Sequence, residues 1–248
     1  MNRYIRADLH RILKRLPRAI TLVFIFAIIG YTSWSVKDAG EGISIRDLTD
    51  GINGFVTWII FFFGLIEYSY VYGEDFKAKT MQMAIGTGIR RRHVVLAKWF
   101  EGAFLVLLDC VITLVILFGV AAIRGVAFTG GPMRDIMMYF FFEWVSVLAC
   151  YALTTPLVFA TQATTGGMLI FIALKTGMIS GILKAIFGLK ALEPLNLGRF
   201  LLTYLVDIAR SRAIAGSFSL VHIAGIVIYL VIGYVLTSIL FKKKELEF

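Results

Sequence analysis

The chain has 248 residues, of which 59% are hydrophobic and 17% are charged, and its formal net charge is +9. A soluble domain carries about 25% charged residues, so this composition excludes an ordinary soluble protein and indicates an integral membrane protein. The basic residues lie beside apolar segments, which is typical of orientation in an anionic membrane. We therefore expect membrane lipid, and no nucleic acid, among its partners.

Residues 1–18 predict an amphipathic helix that lies in the membrane interface. Apolar side chains recur there at helical spacing, and arginines and lysines occupy the remaining positions. Pro17 is expected to end this helix before the first span. A basic segment followed by an apolar run is also typical of a secretory signal peptide. No clear cleavage site follows Trp34, so we interpret the segment as an uncleaved anchor.

Six apolar segments are long enough, with their flanking residues, to cross a hydrocarbon core about 30 Å thick. We place these spans at about 19–34, 52–72, 103–123, 136–161, 168–187 and 218–241. Gly177 and Gly181 interrupt the fifth of them. The sequence therefore predicts an all-α integral membrane protein with six transmembrane helices in a single domain, residues 1–248.

The distribution of basic residues sets the expected orientation in the cytoplasmic membrane. With the amino terminus inside, the cytoplasmic segments hold fifteen basic residues and the first two outer loops hold four. This asymmetry favours both termini in the cytoplasm and an even number of spans. The outer segment 188–217 opposes the rule because it is also basic. A five-span arrangement would place it inside but leave the tail Lys242–Lys244 outside, so we favour six spans.

Within segment 188–217, the apolar stretch Leu195–Ala209 is only 15 residues long. That length is short for a membrane crossing. It predicts either a re-entrant or interfacial helix that leans on the bundle before the sixth span, or an ordinary loop with a surface helix.

Ionisable residues inside a span cost a few kcal/mol each on insertion scales, so each is a candidate site. The predicted spans contain four of them that we single out: Glu67, Asp109, Glu143 and Lys175. Glu67 is near the cytoplasmic end of its span, where water is within reach. Lys175 is closest to the middle of its span. We expect Asp109 or Glu143 to pair with it, or its long stem to extend to an interface.

No enzyme signature is present. The sequence lacks the Gly-x-x-x-x-Gly-Lys-Ser/Thr loop that cradles nucleotide phosphates, and it lacks His-Glu-x-x-His and Gly-x-Ser-x-Gly. Its three histidines have no metal-ligand spacing. Ser217 and His222 are a conceivable Ser/His pair for an intramembrane protease, which we interpret as an incidental spacing. We expect no catalytic residue, metal or cofactor in this chain.

The longest polar interruption in the first two-thirds of the chain, residues 73–98, predicts a docking helix. Glu74 and Asp75 stand where a helix would begin, which is favourable against its dipole. Helical spacing places on one face Phe76, Thr80, Met83 and Ala84. Gly86 and Gly88 suit a C-terminal cap and turn. A basic loop that only anchors the topology explains the same composition.

Within this segment an acid is followed by Thr about five residues on, then by Gly-x-x-Arg and by Lys seven residues after the Arg. The positions are Glu74 or Asp75, Thr80, Gly88, Arg91 and Lys98. This pattern resembles the first cytoplasmic loop of ABC-2-type transporter permeases. The six spans, the basic amino-terminal helix, the outer region before the last span and the tail Phe241-Lys242-Lys243 are similar to that family too.

The resemblance implies a permease subunit of an ABC exporter that has no ATPase of its own. In that family this loop carries a coupling helix, which sits in a cleft of a separate ATP-binding subunit that uses ATP and Mg²⁺. The contact residues here would be Glu74, Asp75, Phe76, Thr80, Met83 and Ala84. A second permease, identical or related, is also implied, with a substrate path that the second and fifth spans line. A hydrophobic or amphipathic substrate, such as an antimicrobial peptide, fits the small six-span members of the family.

Two other classes of protein remain. A secondary transporter would use Asp109, Glu143 and Lys175 as a proton or ion relay. Inverted repeats would support that class, but none are visible in the lengths or breaks of the spans. The third class is a membrane scaffold or an intramembrane enzyme.

Overall fold

The structure, a computed structural model, describes residues 2–35, 53–73, 80–126, 130–189 and 192–243. Helices account for nearly all of this part of the chain, and no strand occurs in it. The all-helical fold class predicted from the sequence is therefore confirmed at this level.

The described residues form ten α-helices in chain order. They are α1 (Asn2–Leu13), α2 (Leu16–Ser35), α3 (Asn53–Tyr68), α4 (Thr80–Gly86), α5 (Arg91–Ile123), α6 (Gly130–Thr161), α7 (Thr164–Lys175), α8 (Met178–Phe187), α9 (Leu202–Ile214) and α10 (Leu220–Lys243). Helix α3 continues into one π-helical turn, Ser69–Gly73. Two short 3-10 turns, Glu193–Leu195 and Leu197–Phe200, precede α9.

Five helices of the described residues are long and apolar enough to cross a membrane: α2, α3 with its π turn, α5, α6 and α10. The number rises to six if α7 and α8, which meet at 62°, are counted as one broken span. These long apolar helices indicate a helical membrane protein, because a helix satisfies its own backbone hydrogen bonds in lipid. The predicted six spans are compatible with this arrangement, but the predicted fifth span is not one continuous helix.

The break between α7 and α8 occurs at Gly177. Its φ is +79°, in the left-handed region that glycine adopts without a Cβ clash. The backbone N–H groups of Thr176 and Gly177 donate to carbonyls of the last turn of α7, which closes that helix. The chain then leaves in a new direction as α8. Gly181, which the sequence suggested as a second interruption, lies inside α8.

Helix α5 begins at Arg91, well before the predicted start of the third span at 103. In its polar first turns, Lys98 and Glu101 form a buried ion pair on one helix face, 2.9 Å apart, which favours the helix there. At about 1.5 Å per residue, the 33 residues of α5 extend about 50 Å. This length exceeds the hydrocarbon thickness, so the helix extends beyond the membrane core.

The interfacial helix is separate from the first apolar helix, but the expectation that Pro17 ends it is wrong, because Pro17 lies inside the second helix. Helix α1 ends at Leu13 and α2 begins at Leu16. Proline is tolerated in the first turn of a helix because an N–H there has no intrahelical acceptor. Helix α1 then packs against α5.

Helix α6 forms the centre of the bundle, where it contacts α3, α5, α7, α9 and α10. The Arg134 side chain near its start donates to the carbonyl of Ile214 at the end of α9. Near its other end, the rings of Phe159 and Phe241 pack together, and Phe241 lies close to the end of α10. We call the end with α1, α4, the start of α5 and the end of α10 the basal end. The end with α9 is the distal end.

The helix predicted over Leu195–Ala209 is displaced along the chain. Asn196 has a φ of +47° and Leu201 is extended, so regular helix begins only at Leu202. Helix α9 packs against α6 and α10 through its buried face, which consists of Leu202, Leu205, Val206, Ala209 and Ala213. The segment therefore leans on the bundle as an amphipathic helix.

Candidate functional site

Ionisable side chains in this bundle are buried in clusters that join helices. An isolated charge in a membrane core is costly, so buried charges in such proteins face one another. The described residues contain three such clusters, which we call the central cluster, the distal cluster and the Lys98 cluster. Together they contain all four ionisable residues singled out from the sequence.

The central cluster consists of Arg18, Glu67 and Asp109, from α2, α3 and α5. Nε of Arg18 donates to both carboxylate oxygens of Glu67, at 2.8 and 3.1 Å. Nη2 of Arg18 lies 2.8 Å from Oε1 of Glu67 and 3.5 Å from Oδ1 of Asp109. Glu67 and Asp109 are both 0% exposed. The cluster thus ties the start of the first apolar helix to the second and third.

The expectation that Glu67 reaches water is wrong. Its position near the end of a predicted span suggested exposure, but α2, α3 and α5 enclose it and Arg18 supplies its counter-charge. Asp109 belongs to the same cluster and is not the partner of Lys175. The proposed relay of Asp109, Glu143 and Lys175 is therefore divided between two separate clusters.

The distal cluster consists of Glu143, Lys175, Arg210 and Asp207. Nζ of Lys175 lies 2.5 Å from one oxygen of Glu143, and Nη1 of Arg210 lies 2.7 Å from the other. Arg210 also contacts Asp207, which is on the surface of α9, at 2.9 Å. The expected pairing of Lys175 across the bundle is confirmed, with Glu143 as the partner. Glu143 therefore connects α6 to the end of α7 and to α9.

The Lys98 cluster joins the amino-terminal helix to α5. The Lys98 ammonium group contacts Asp8 of α1 and is 2.9 Å from Glu101. Asp8 is also paired with Arg11 at 2.6 Å. Burial alone would raise the pKa of Asp8, but Lys98 and Arg11 lower this pKa below its ordinary value. The stability that ionised Asp8 contributes is thus present above its ordinary pKa and is lost as the pH falls through the lowered pKa.

Arg91, one of the residues of the loop pattern, holds the end of α10 to the start of α5. Its guanidinium donates to the carbonyls of Phe241 at 2.8 Å and Lys242 at 3.2 Å. It also lies over the Phe241 ring, 5.6 Å from its centre. A cation is favourable there because the last carbonyls of a helix carry partial negative charge. The pattern residues Arg91 and Lys98 therefore fasten α10 and α1 to the same part of α5.

Helix α4 lies at the basal end and packs against α5. Met81 and Ala84 are buried against the protein, whereas Met83 is 60% exposed. Met83 and Ala84 therefore do not share one exposed face, because Ala84 is turned toward the protein and Met83 away from it. Thr80 begins the helix. Three of the predicted contact residues lie outside the described residues: Glu74, Asp75 and Phe76.

The predicted turn after α4 is confirmed. The helix ends at Gly86, and Gly88 has a φ of +93°, which only glycine adopts readily. The N–H groups of Thr87 and Ile89 donate to the carbonyls of Met83 and Ala84, which fixes the turn. Helix α4 is therefore joined to α5 by a short, hydrogen-bonded connection.

Several charged residues of these clusters were not recognised in the sequence. Arg18 was assigned to the interfacial helix, but it lies 4% exposed in the first turn of α2. Lys98 and Glu101 were placed outside the third span, although their i, i+3 spacing is a usable signal for a local pair. Arg210 was counted only as a basic residue of an outer segment. Asp207, three residues before Arg210, has the same spacing and therefore also indicated a local ion pair.

The conceivable Ser/His pair is not formed. Nδ1 of His222 lies 2.6 Å from Oγ of Ser219, and the Ser217 hydroxyl donates to the carbonyl of Arg212. Among the described residues, no group of three or more His, Cys, Asp or Glu side chains has the geometry to hold a metal ion. Neither observation supports a catalytic centre in the part of the chain that the structure describes.

No family model matches this sequence, and neither a curated protein sequence nor a solved structure matches it. The resemblance to ABC-2-type permeases therefore remains an expectation from the pattern between Glu74 and Lys98.

Proposed function

We propose that this chain is the membrane-spanning permease subunit of an ATP-driven ABC exporter, with ATP hydrolysed by a separate subunit that docks on α4. The observation that carries the proposal is the placement of α4. It is a short surface helix at the basal end, between two of the helices that are long and apolar enough to cross a membrane. Its buried side holds it to α5, and its exposed Met83 offers an apolar contact.

The connections of α5 give docking on α4 a mechanical consequence. A short hydrogen-bonded turn joins α4 to α5. Near its start, α5 is fastened to α1 through Lys98 and Asp8, and to α10 through Arg91. A push on α4 would therefore displace α1, α5 and α10 together. ATP-driven closure of the docked subunit would supply that push.

Two of the long apolar helices present most of their surface outward. In the most apolar stretch of each helix, only 22% of α2 and 17% of α10 is buried inside the protein, compared with 61% of α3. These faces are available to lipid and to a second permease copy or a related permease. A substrate path along α3 and α7 is closed within one chain, where the rings of Tyr68 and Phe171 stack at 5.8 Å. A hydrophobic or amphipathic substrate would move when these helices separate.

The test uses two matched substitutions in the tagged full chain. Met83 on α4 and Met178 on α8 are each 60% exposed. We expect Met83→Ser to weaken association with the ATP-hydrolysing subunit at least about tenfold, as truncation of an interface anchor does. Met178→Ser should leave association unchanged. Co-purified ATPase activity from the native host and ATP-dependent uptake of substrate into inverted vesicles are the two measurements.

Two outcomes would contradict the proposal. One is equal ATPase recovery with Met83→Ser and with wild-type protein. The other is substrate flux in liposomes that contain only this chain and no ATP, which would favour coupled secondary transport.

A further inference from the structure

The central cluster contains one more carboxyl group than it contains cations. Arg18, Glu67 and Asp109 are 4%, 0% and 0% exposed. In the described part of the chain, Arg18 is the one cation in contact with either carboxyl group. The distal cluster differs, because Glu143 there faces two cations.

The guanidinium of Arg18 is directed at Glu67 and only touches Asp109. Its Nε donates to both oxygens of Glu67, whereas its Nη2 is 3.5 Å from Oδ1 of Asp109. Neither buried oxygen of Asp109 accepts a hydrogen bond from a donor that the structure describes. The Asp109 and Glu67 carboxyl groups are nevertheless neighbours, because Nη2 of Arg18 is 2.8 Å from Oε1 of Glu67 and 3.5 Å from Oδ1 of Asp109. An ionised carboxylate only accepts hydrogen bonds, so a proton held between the two carboxyl groups would supply a donor to Asp109.

Electrostatics points to the same conclusion. Two adjacent carboxylates with one counter-charge leave a net negative charge in a dry core, which is strongly unfavourable. Carboxyl pairs in this situation retain a proton, as in the paired acids of aspartic proteases. One proton removes the excess charge and supplies the missing hydrogen-bond donor.

We propose that Glu67 and Asp109 form a proton-binding site, in which the two carboxyl groups share one proton and Arg18 balances the remaining charge. Among the described residues, the other titratable groups near the pair are Tyr151 of α6 and Cys110 of α5. Tyr151 already donates its hydroxyl proton to the carbonyl of Gly64. Neither residue supplies a positive charge.

The site is built from three helices, so its occupancy depends on how they pack. Arg18 lies in the first turn of α2, immediately after the break between α1 and α2. Separation of α2 from α3 and α5 would admit water to the carboxyl groups and release the proton. A bound proton therefore links the packing of these helices to pH, whether or not an ATPase subunit is docked on α4.

Infrared spectroscopy of the purified full chain in lipid nanodiscs at neutral pH tests the proposal without ATP or a partner. A protonated carboxyl group has its own carbonyl stretching band, which shifts in D₂O. We expect Asp109→Asn and Glu67→Gln each to remove one such band, because the remaining carboxylate then pairs with Arg18. Arg18→Met should increase the intensity of this band, because the second carboxyl group then becomes protonated as well. Asp207→Asn, on the surface of α9, should change nothing.

Three results would overturn the proposal. The first is a wild-type spectrum without a protonated-carboxyl band, which needs no variant to interpret. The second is a band that persists unchanged in both Asp109→Asn and Glu67→Gln. The third is a band that appears only when Na⁺ is removed from the buffer, because a bound cation would then occupy the place of the proton.

Discussion

At the scale of single residues, Glu143 differs from the other ionisable residues singled out from the sequence because it contacts two cations. Its two carboxylate oxygens bind different cations, Lys175 at 2.5 Å and Arg210 at 2.7 Å. These cations belong to α7 and α9, so one carboxylate on α6 fixes both. Its loss would leave two positive charges close together with no shared counter-charge.

We expect Glu143→Gln to lower the free energy of unfolding by about 3 kcal/mol, the lower range for removal of one partner from a buried ion pair. Unfolding in mixed detergent micelles, followed by helical circular dichroism, measures the change. Asp207→Asn is the matched control because Asp207 contacts the same Arg210 but is 61% exposed. Its effect should stay under about 1 kcal/mol. Equal losses in the two variants would show that Glu143 is not the joint between α6, α7 and α9.

At the scale of helices, the contact between α6 and α10 depends on a residue with no side chain. A Cβ atom placed on Gly233 of α10 would collide with the backbone of Ala152 in α6. Ala152 is itself 0% exposed. The two helices therefore approach each other at Gly233 through their backbones, as small residues permit in membrane proteins.

We expect Gly233→Ala to destabilise the protein by about 2–3 kcal/mol, the upper range for overpacking, because backbone atoms obstruct the new methyl group. The control is Gly119→Ala on α5, where an added Cβ meets no atom within 4 Å. That substitution should be neutral or slightly stabilising, since alanine favours a helix. Thermal unfolding of the two purified variants measures these changes in stability. Similar melting temperatures would contradict the close approach of α6 and α10.

Helix α5 shows why the ends of a helix were harder to predict from the sequence than its presence. The third span was expected to begin at 103, because Lys98 and Glu101 make the preceding turns polar. In the structure these two residues are 0% exposed and paired, and the helix already begins at Arg91. Hydropathy measures one residue at a time, so it does not register that two opposite charges neutralise each other on a helix face.

At the scale of the whole molecule, the basal and distal ends carry different kinds of surface. The basal end has the basic helix α1 and the exposed helix α4, and the distal end has α9. The excess of basic residues at the basal end favours its placement in the cytoplasm. The sequence prediction of a multi-pass protein of the cytoplasmic membrane, with both termini in the cytoplasm, depends on this placement.

Cysteine accessibility tests this orientation, and the native Cys110 and Cys150 are both buried. We expect a membrane-impermeant maleimide to label Ser211→Cys on intact cells, because this exposed site is on the distal helix α9. Lys14→Cys and Met83→Cys, at exposed basal sites, should react only after the cells are permeabilised. Labelling of the two basal positions on intact cells would show that the basal end faces the outside of the cell.

The sequence alone was sufficient for the helical class, for most of the apolar helices and for the recognition of Asp109 and Glu143 as buried acids. These features are local, because a membrane helix needs an uninterrupted apolar run and a charge inside that run is conspicuous. The turn after α4 was predictable for the same reason, because glycine readily adopts the positive φ angle that Gly88 has in this turn. The identity of a docked partner was suggested only by a short pattern and stays a prediction.

Only the tertiary structure decided which charges meet. Arg18 and Glu67 are 49 residues apart in the chain, and Glu143 and Arg210 are 67 apart. Their pairing depends on how each helix is rotated and which helices are neighbours, and no periodicity within one segment specifies either. For that reason Asp109 could be recognised as a buried acid from the sequence, whereas its position beside Glu67 at Arg18, on which the proposed proton site rests, could not.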